Sequence, residues 1–231
     1  MAKTSVIVAL CAVLVLVVIV LFLQHGGTQG LFTGTAGPAT LAATEVRSYE
    51  GMDLSSIGAF HENSIRGSQQ VDITDYRLMV TGLVRSPKSY TYHEVLSRFP
   101  HYRKVVTLYC VEGWDATILW DGIKVSDIID DAGADPRADT VIFTARDGYT
   151  TSLPLAYIRD NEILMAYGMN NVTLPAERGF PFQLVAEDKW GYKWIKWVEQ
   201  IELSDNAAFK GYWEERGYSN TADLNGSFYG P

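Results

Sequence analysis

Leu164-Met165-Ala166-Tyr167-Gly168-Met169-Asn170-Asn171-Val172-Thr173-Leu174-Pro175-Ala176-Glu177-Arg178-Gly179-Phe180-Pro181-Phe182-Gln183-Leu184-Val185 and, beyond residues 186–189, Trp190-Gly191-Tyr192-Lys193-Trp194-Ile195-Lys196-Trp197-Val198 form the most structured run of the chain. The apolar stretch Ile163 to Tyr167 reads as a strand, and Asn170-Asn171 is a turn pair. Phe182 to Ala186 reads as a buried strand by composition. Lys193 to Leu203 reads as a last long strand, with Ile195, Trp197, Ile201 and Leu203 apolar. For its two lysines, Lys193 and Lys196, the bland reading is solvated strand ends.

Outward from this run the same short-strand grammar repeats. Thr140 to Thr144 and Tyr149 to Leu153 flank Asp147-Gly148, a hairpin signal. Tyr76 to Val84 alternates, with Tyr76, Leu78 and Val80 on one face and Arg77, Met79 and Thr81 on the other. Tyr92 to Phe99 predicts a short helix. Val125 to Ala132 predicts another, with Val125, Ile128, Ile129 and Ala132 on one face, Ser126 or Asp127 as cap and Gly133 as stop. Many short strands with a few helices between them make an α+β domain, not a doubly wound one. The aromatic tail (Phe209, Tyr212, Trp213, Tyr218, Phe228, Tyr229) is expected to pack on the domain.

Arg103 to Val111 is a β-branched strand that delivers Cys110 to a Glu112-Gly113 turn beside Trp114. Cys11, the other cysteine, lies in an apolar N-terminal run, so no internal disulfide is expected. A lone thiol is an inert core residue, a nucleophile or a soft metal ligand. His61, His93 and His101 match no zinc spacing and fall on different elements.

Ser5 to Leu23 is an uncharged run of 19 residues, roughly 28 Å as a helix and close to a bilayer's hydrocarbon thickness. We read residues 1–24 as a single-pass transmembrane anchor contacting lipid through residues 5–23, a cleaved signal being the other option. Lys3 places the N-terminus inside and the domain on the extracytoplasmic side. Residues 25–48 read as a flexible linker, and residues 49–231 as the functional domain. Every acidic residue lies beyond Thr44 and the chain's formal charge is −8 at pH 7. That balance argues against nucleic-acid binding.

Several blocks together resemble the sulfite oxidase-type molybdopterin oxidoreductases, nearer to single-domain exported or membrane-associated members than to true sulfite oxidases. They are the opening run, Asp147-Gly148-Tyr149-Thr150-Thr151-Ser152-Leu153-Pro154-Leu155, Phe60-His61-Glu62-Asn63-Ser64-Ile65, the cysteine strand, and Gly211-Tyr212-Trp213-Glu214. The resemblance covers about residues 55 to 220. It implies a mixed β-rich domain with short helices around one molybdenum-molybdopterin cofactor, with Cys110 as the protein's metal ligand.

Carried over residue by residue, the resemblance places Phe60, His61, Asn63 and Ser64 against the pterin and metal. Tyr149 falls at an active-site tyrosine. Thr144 and Ala145 fall on a pterin-contacting strand. Arg178, Gln183, Trp194, Ile195 and Lys196 fall at the pterin's distal and phosphate end, Lys196 as a point charge. Glu62 stands where sulfite oxidases carry a substrate-holding arginine, and Arg178 and Gln183 resemble a swapped pair. With Glu62, Tyr149 and Cys110 at the reacting centre, the resemblance implies oxygen-atom or electron transfer on a small sulfoxide- or sulfite-like substrate. The chain shows no Cys-x-x-Cys-His, so electrons are expected to pass to a separate haem or quinone-linked membrane protein or a soluble carrier. The competing reading is a cofactor-free binding or scaffold module that keeps the fold.

Overall fold

The computed structural model describes Leu41 and residues 44–230. The expected transmembrane anchor lies outside these residues, and among the described residues no helix is long and apolar enough to cross a membrane. Among the described residues two five-stranded sheets and a two-stranded ribbon make the fold. The ribbon pairs β1 (Ser48–Tyr49) with β2 (Met52–Asp53).

One sheet runs β4-β3-β12-β7-β8, from β3 (Leu78–Gly82), β4 (Lys88–Tyr90), β7 (Thr140–Ala145), β8 (Thr150–Pro154) and β12 (Val198–Ser204). The other holds β5 (Tyr102–Tyr109), β6 (Asp115–Lys124), β9 (Leu164–Met169) and β10 (Val172–Thr173), with β11 (Gln183–Val185) also on β9. Only the β3–β12 pairing is parallel among these ladders. Among the described residues three short helices, α1 (Tyr92–Arg98), α2 (Val125–Ala132) and α3 (Leu155–Asp160), join the strands. This is the expected α+β class.

The patterning explains the core. Tyr76, Leu78 and Val80 are fully buried while Met79 on the opposite face is exposed. Helix α2 buries Val125, Ile128, Ile129 and Ala132 as its spacing requires, and Gly133 ends it at φ 71°. Its N-cap is Lys124, with no side-chain hydrogen bond, so neither Ser126 nor Asp127 caps it. Thr91 and Glu94 form a capping box on α1, satisfying two free backbone donors. Asn170 and Asn171 both take positive φ at the β9–β10 turn, the conformation Asn tolerates best after Gly.

The last strand departs from expectation. Residues 191–193 form a 3-10 turn, Trp197 sits at φ 50°, and the ladder begins only at Val198. Lys193 is not solvated: its side chain is fully buried in an ion pair with Glu214. A lysine tethered inward cannot alternate with its neighbours as a strand residue. Residues 45–48, assigned to the linker, also belong to the fold. The Glu45 carboxylate accepts from Ile57 N–H at 2.8 Å and from Asn170 Nδ2 at 2.9 Å.

Asp131 ties three elements together. Its carboxylate accepts from Arg98 on α1 and Tyr90 on β4, with Lys88 at 3.5 Å. The Arg98 and Tyr90 hydrogen bonds lower its pKa from 3.8 to about 2. A carboxylate with a depressed folded pKa contributes stability above its unfolded value, lost as pH falls toward the folded one. Asp131→Asn should therefore flatten the stability profile between about pH 4 and pH 2, measured by denaturant titration at several pH values. An unchanged acid slope would contradict this.

Candidate active site

Strand β5 buries Val106 and Leu108 and ends at Tyr109, leaving Cys110 to open a tight turn. Cys110 N–H donates to Trp114 O at 2.9 Å, and Gly113 N–H donates back to Cys110 O at 3.1 Å. Gly113 takes φ 88°, a region glycine enters without steric cost. The turn curls the chain around the sulfur. Cys110 Sγ receives Glu112 N–H at 3.5 Å and Asn63 Nδ2 at 3.7 Å.

Burial pushes the thiol pKa up, with the Glu112 N–H opposing. An unligated Cys110 is therefore a thiol at neutral pH, which disfavours the nucleophile reading. A metal would deprotonate it outright. The Glu112 carboxylate accepts from Asn63 Nδ2 and Trp114 Nε1, both at 3.1 Å. Those two donors hold its pKa below the usual carboxylate range.

Cys110 borders a cleft of about 340 Å³, within the size range of small-molecule sites. Phe60, His61, Asn63 and Ser64 line it from the loop before β3, and Tyr149 from the turn after β7. Arg178, Gln183, Trp194, Ile195 and Lys196 line it from the run 178–196. Thus eleven of the expected positions meet around one space.

Three expected positions do not border it. Thr144 lies within β7 paired to Gln200 of β12 and Thr150 of β8, and Ala145 pairs with Val198 of β12. The β7–β8 turn, one step further on, is what reaches the cleft, through Asp147 and Tyr149. Glu62 is engaged beside it: its carboxylate accepts from Lys196 Nζ at 2.5 Å. The Lys196 point charge is therefore already neutralised in large part. Burial lowers the Lys196 pKa, and Glu62 restores some of it.

Arg178 is held differently from expectation. Its guanidinium donates to the carbonyls of Ile57 at 2.8 Å, Phe60 at 2.6 Å and His61 at 3.2 Å. It also stacks 3.9 Å from the Phe60 ring centroid. Arg178 thus fixes the 57–61 loop, so Phe60 and Asn63 are presented on a rigid support. Burial lowers its pKa. The Tyr149 hydroxyl donates to Tyr192 O at 2.5 Å. Burial, then the charge of Glu214, raises its pKa well above 10, so it stays protonated and its oxygen can still accept a hydrogen bond.

The histidines do not converge, and the described residues hold no cluster of metal-binding side chains. His101 is buried against Tyr167 Oη at 2.8 Å and Leu96 O at 2.7 Å, a core histidine.

Trp114, Tyr192, Trp213 and Tyr218 also line the cleft and extend the expected set of site residues. Trp114 is legible through its adjacency to the cysteine turn. Tyr218 carries no signal in the sequence beyond belonging to an aromatic tail.

One thiol, several aromatic rings and the cations Arg178 and Lys196 thus border a single cleft. The chain belongs to the oxidoreductase molybdopterin binding domain family, whose model matches residues 66–213. The resemblance seen in the sequence holds at this level. The chain is 34% identical over 153 residues to an uncharacterized oxidoreductase, YuiH, of Bacillus subtilis, covering 66% of this chain and 76% of that one. It is 31% identical over 156 residues to the protein-methionine-sulfoxide reductase catalytic subunit MsrP of Gluconobacter oxydans, covering 60% of this chain and 50% of that one. The fold matches the sulfane dehydrogenase SoxCD of Paracoccus pantotrophus with TM-score 0.59 at 24% identity, over 67% of this chain and 43% of that one.

The residues present fit a pterin-dithiolene metal group. Sulfur is the donor a soft, sulfur-ligated metal prefers. Gln183 is a buried residue that lines the cleft, and its side-chain amide makes no hydrogen bond among the described residues, so a bound polar ring edge would satisfy it. Arg178 uses three of its N–H groups on the loop carbonyls, and a guanidinium has five.

Proposed function

We propose that this chain is a membrane-anchored molybdenum-molybdopterin oxidoreductase that reduces a small uncharged oxide of the sulfoxide type. The observation that carries the reading is the buried Cys110 sulfur at the cleft floor, beside a carboxylate. The cofactor supplies two-electron oxygen-atom chemistry when bound. Cys110 would be its protein ligand. Gln183, Arg178, Lys196, Trp194 and Ile195 would hold the pterin portion, with Asn63 orienting the sulfur's surroundings. Tyr149, fixed by the Tyr192 carbonyl, would accept a hydrogen bond at the reacting end.

The electrostatics favour a neutral substrate. Glu112 stands 3.9 Å from the Cys110 sulfur, and Glu62 offsets Lys196. An anion such as sulfite would meet a carboxylate where it must approach. MsrP, by its name, reduces methionine sulfoxide in proteins, which agrees with this preference. The balanced reaction takes up two protons and two electrons, releasing water and the thioether. The electrons would come from a separate haem- or quinone-linked membrane protein or a soluble carrier. Anchoring through residues 5–23 would keep the domain beside such a partner, on the extracytoplasmic side.

A second reading, a cofactor-free scaffold, is favoured by one observation: the Glu62–Lys196 pair spends a cation that would meet the cofactor phosphate. One experiment separates them. Protein made in a host that synthesises the cofactor should hold about one molybdenum per chain by elemental analysis. It should also oxidise a reduced viologen dye with a dialkyl sulfoxide and not reduce an acceptor with sulfite. Folded protein without molybdenum would end the proposal, and faster turnover with sulfite would reverse the substrate assignment.

A further inference from the structure

The family match ends at residue 213, yet one wall of the cleft comes from beyond it. Tyr218 lines the cleft and sits in a segment strapped across residues 188–193. Trp190 N–H donates to Ala222 O at 2.9 Å and Leu224 N–H to Asp188 O at 3.1 Å. Lys189 pairs with Asp223, and the Tyr192 hydroxyl donates to Ser219 O at 2.8 Å. The strap's floor abuts the cysteine turn: a Cβ built on Gly191 would lie 3.2 Å from Tyr109 O and 3.6 Å from Cys110 Cα. Tyr218 and Cys110 thus line the same cleft.

Its ring is fixed by its neighbours. The Tyr218 centroid lies 5.2 Å from Tyr192, 5.1 Å from Trp213 and 5.3 Å from Tyr229. Such packing holds a ring without using the part of it that borders the cleft. Burial raises the Tyr218 pKa, with Tyr229 adding to it, so the hydroxyl stays protonated. Glu112, Trp114 and Trp213 line the same cleft.

We infer that Tyr218, carried by the C-terminal strap, forms with Trp213 and Trp114 an aromatic subsite for the non-reacting substituent of the substrate, selecting oxides that bear a flat apolar or aryl group. The inference rests on the oxide-reducing reading above and deepens it. Flat groups gain aromatic contact there, while a small dialkyl oxide has too little surface to use it.

The test uses the full-length holoprotein, methyl phenyl sulfoxide and dimethyl sulfoxide as probes, and the variants Tyr218→Ala and Tyr218→Phe. Wild type should favour the aryl probe in kcat/KM. Tyr218→Ala should lower the aryl-to-dimethyl ratio by about 3–10-fold, the fold-change of one aromatic pair, with the loss carried by KM. Tyr218→Phe should keep the ratio. Quenching of cleft tryptophan fluorescence, titrated with methyl phenyl sulfoxide without reductant, should show the same weakening in Tyr218→Ala. Equal losses on both probes, an unchanged ratio, loss confined to kcat, or failure of Tyr218→Ala to retain molybdenum would each overturn the inference. Wild type that binds the aryl probe through Tyr218 yet reduces neither probe would sink the oxide-reducing reading and leave the subsite standing.

Discussion

Cys110→Ser should remove molybdenum from the purified protein and lower oxide reduction by more than ~100-fold, beyond the loss typical of residues one shell away from a metal. The fold should survive. Cys110 shapes its turn through backbone groups, its N–H to Trp114 and its carbonyl from Gly113, and Ser keeps both. The side-chain change is nearly isosteric, so thermal unfolding should shift little. A hydroxyl is a hard donor with a high pKa and does not replace thiolate toward a soft, sulfur-bound centre. Elemental analysis and circular dichroism on the same preparation make the check. A variant that keeps its metal and most of its turnover would refute the assignment of Cys110 as ligand.

Cys110 is legible in the sequence because strand, turn glycine and single thiol are local features. So are β3 and α2, where period-2 and period-3.6 patterns match one-sided burial. Strand β6 is not. Ala116, Ile118, Leu119, Trp120 and Ile123 are buried on both faces, so the strand has no alternation to read. Helix α3 is hidden for the opposite reason, being too short at six residues to show a period.

In the site, the loop residues 60–64 and the run 178–196 are placed by resemblance, and most of them meet around the cleft. Their working partners are not legible. The engagement of Lys196 by Glu62, and of Arg178 by the carbonyls of 57–61, join positions more than a hundred residues apart. No local pattern marks such pairs. Thr144 and Ala145 fall short of the cleft because both are still ladder residues of β7, and only the turn beyond them reaches it. Lys193 reads as exposed because a lysine at a strand end is ordinarily solvated, and its partner Glu214 lies in the tail.

That buried pair carries the largest expected effect on stability. Lys193 and Glu214 have side chains with no solvent exposure. Lys193 Nζ also donates to Ser152 O at 3.0 Å, and Thr151 Oγ1 donates to Glu214 Oε1 at 3.0 Å. Glu214 Oε2 has no partner among the described residues. The pair fastens the C-terminal segment to β8 and to the turn that carries Tyr192. Removing one partner leaves a charge buried without its counter-ion, so Lys193→Met should destabilise the domain by roughly 3–5 kcal/mol. The double variant Lys193→Met with Glu214→Leu should recover most of that loss, since an apolar pair carries no desolvation penalty.

Glu214→Gln adds a check by pH. Burial already lowers the Lys193 pKa, and Glu214 is the main opposing influence. Without Glu214 the folded-state pKa falls further below the unfolded value of 10.5. The unfolded chain then binds more protons than the folded one between those two values. Stability of Glu214→Gln should therefore rise with pH toward 10.5, more steeply than that of wild type. Urea unfolding of wild type and the three variants between about pH 7 and pH 10 measures all of this. Single variants as stable as wild type, or a double variant no better than the singles, would show that the pair does not hold the strap.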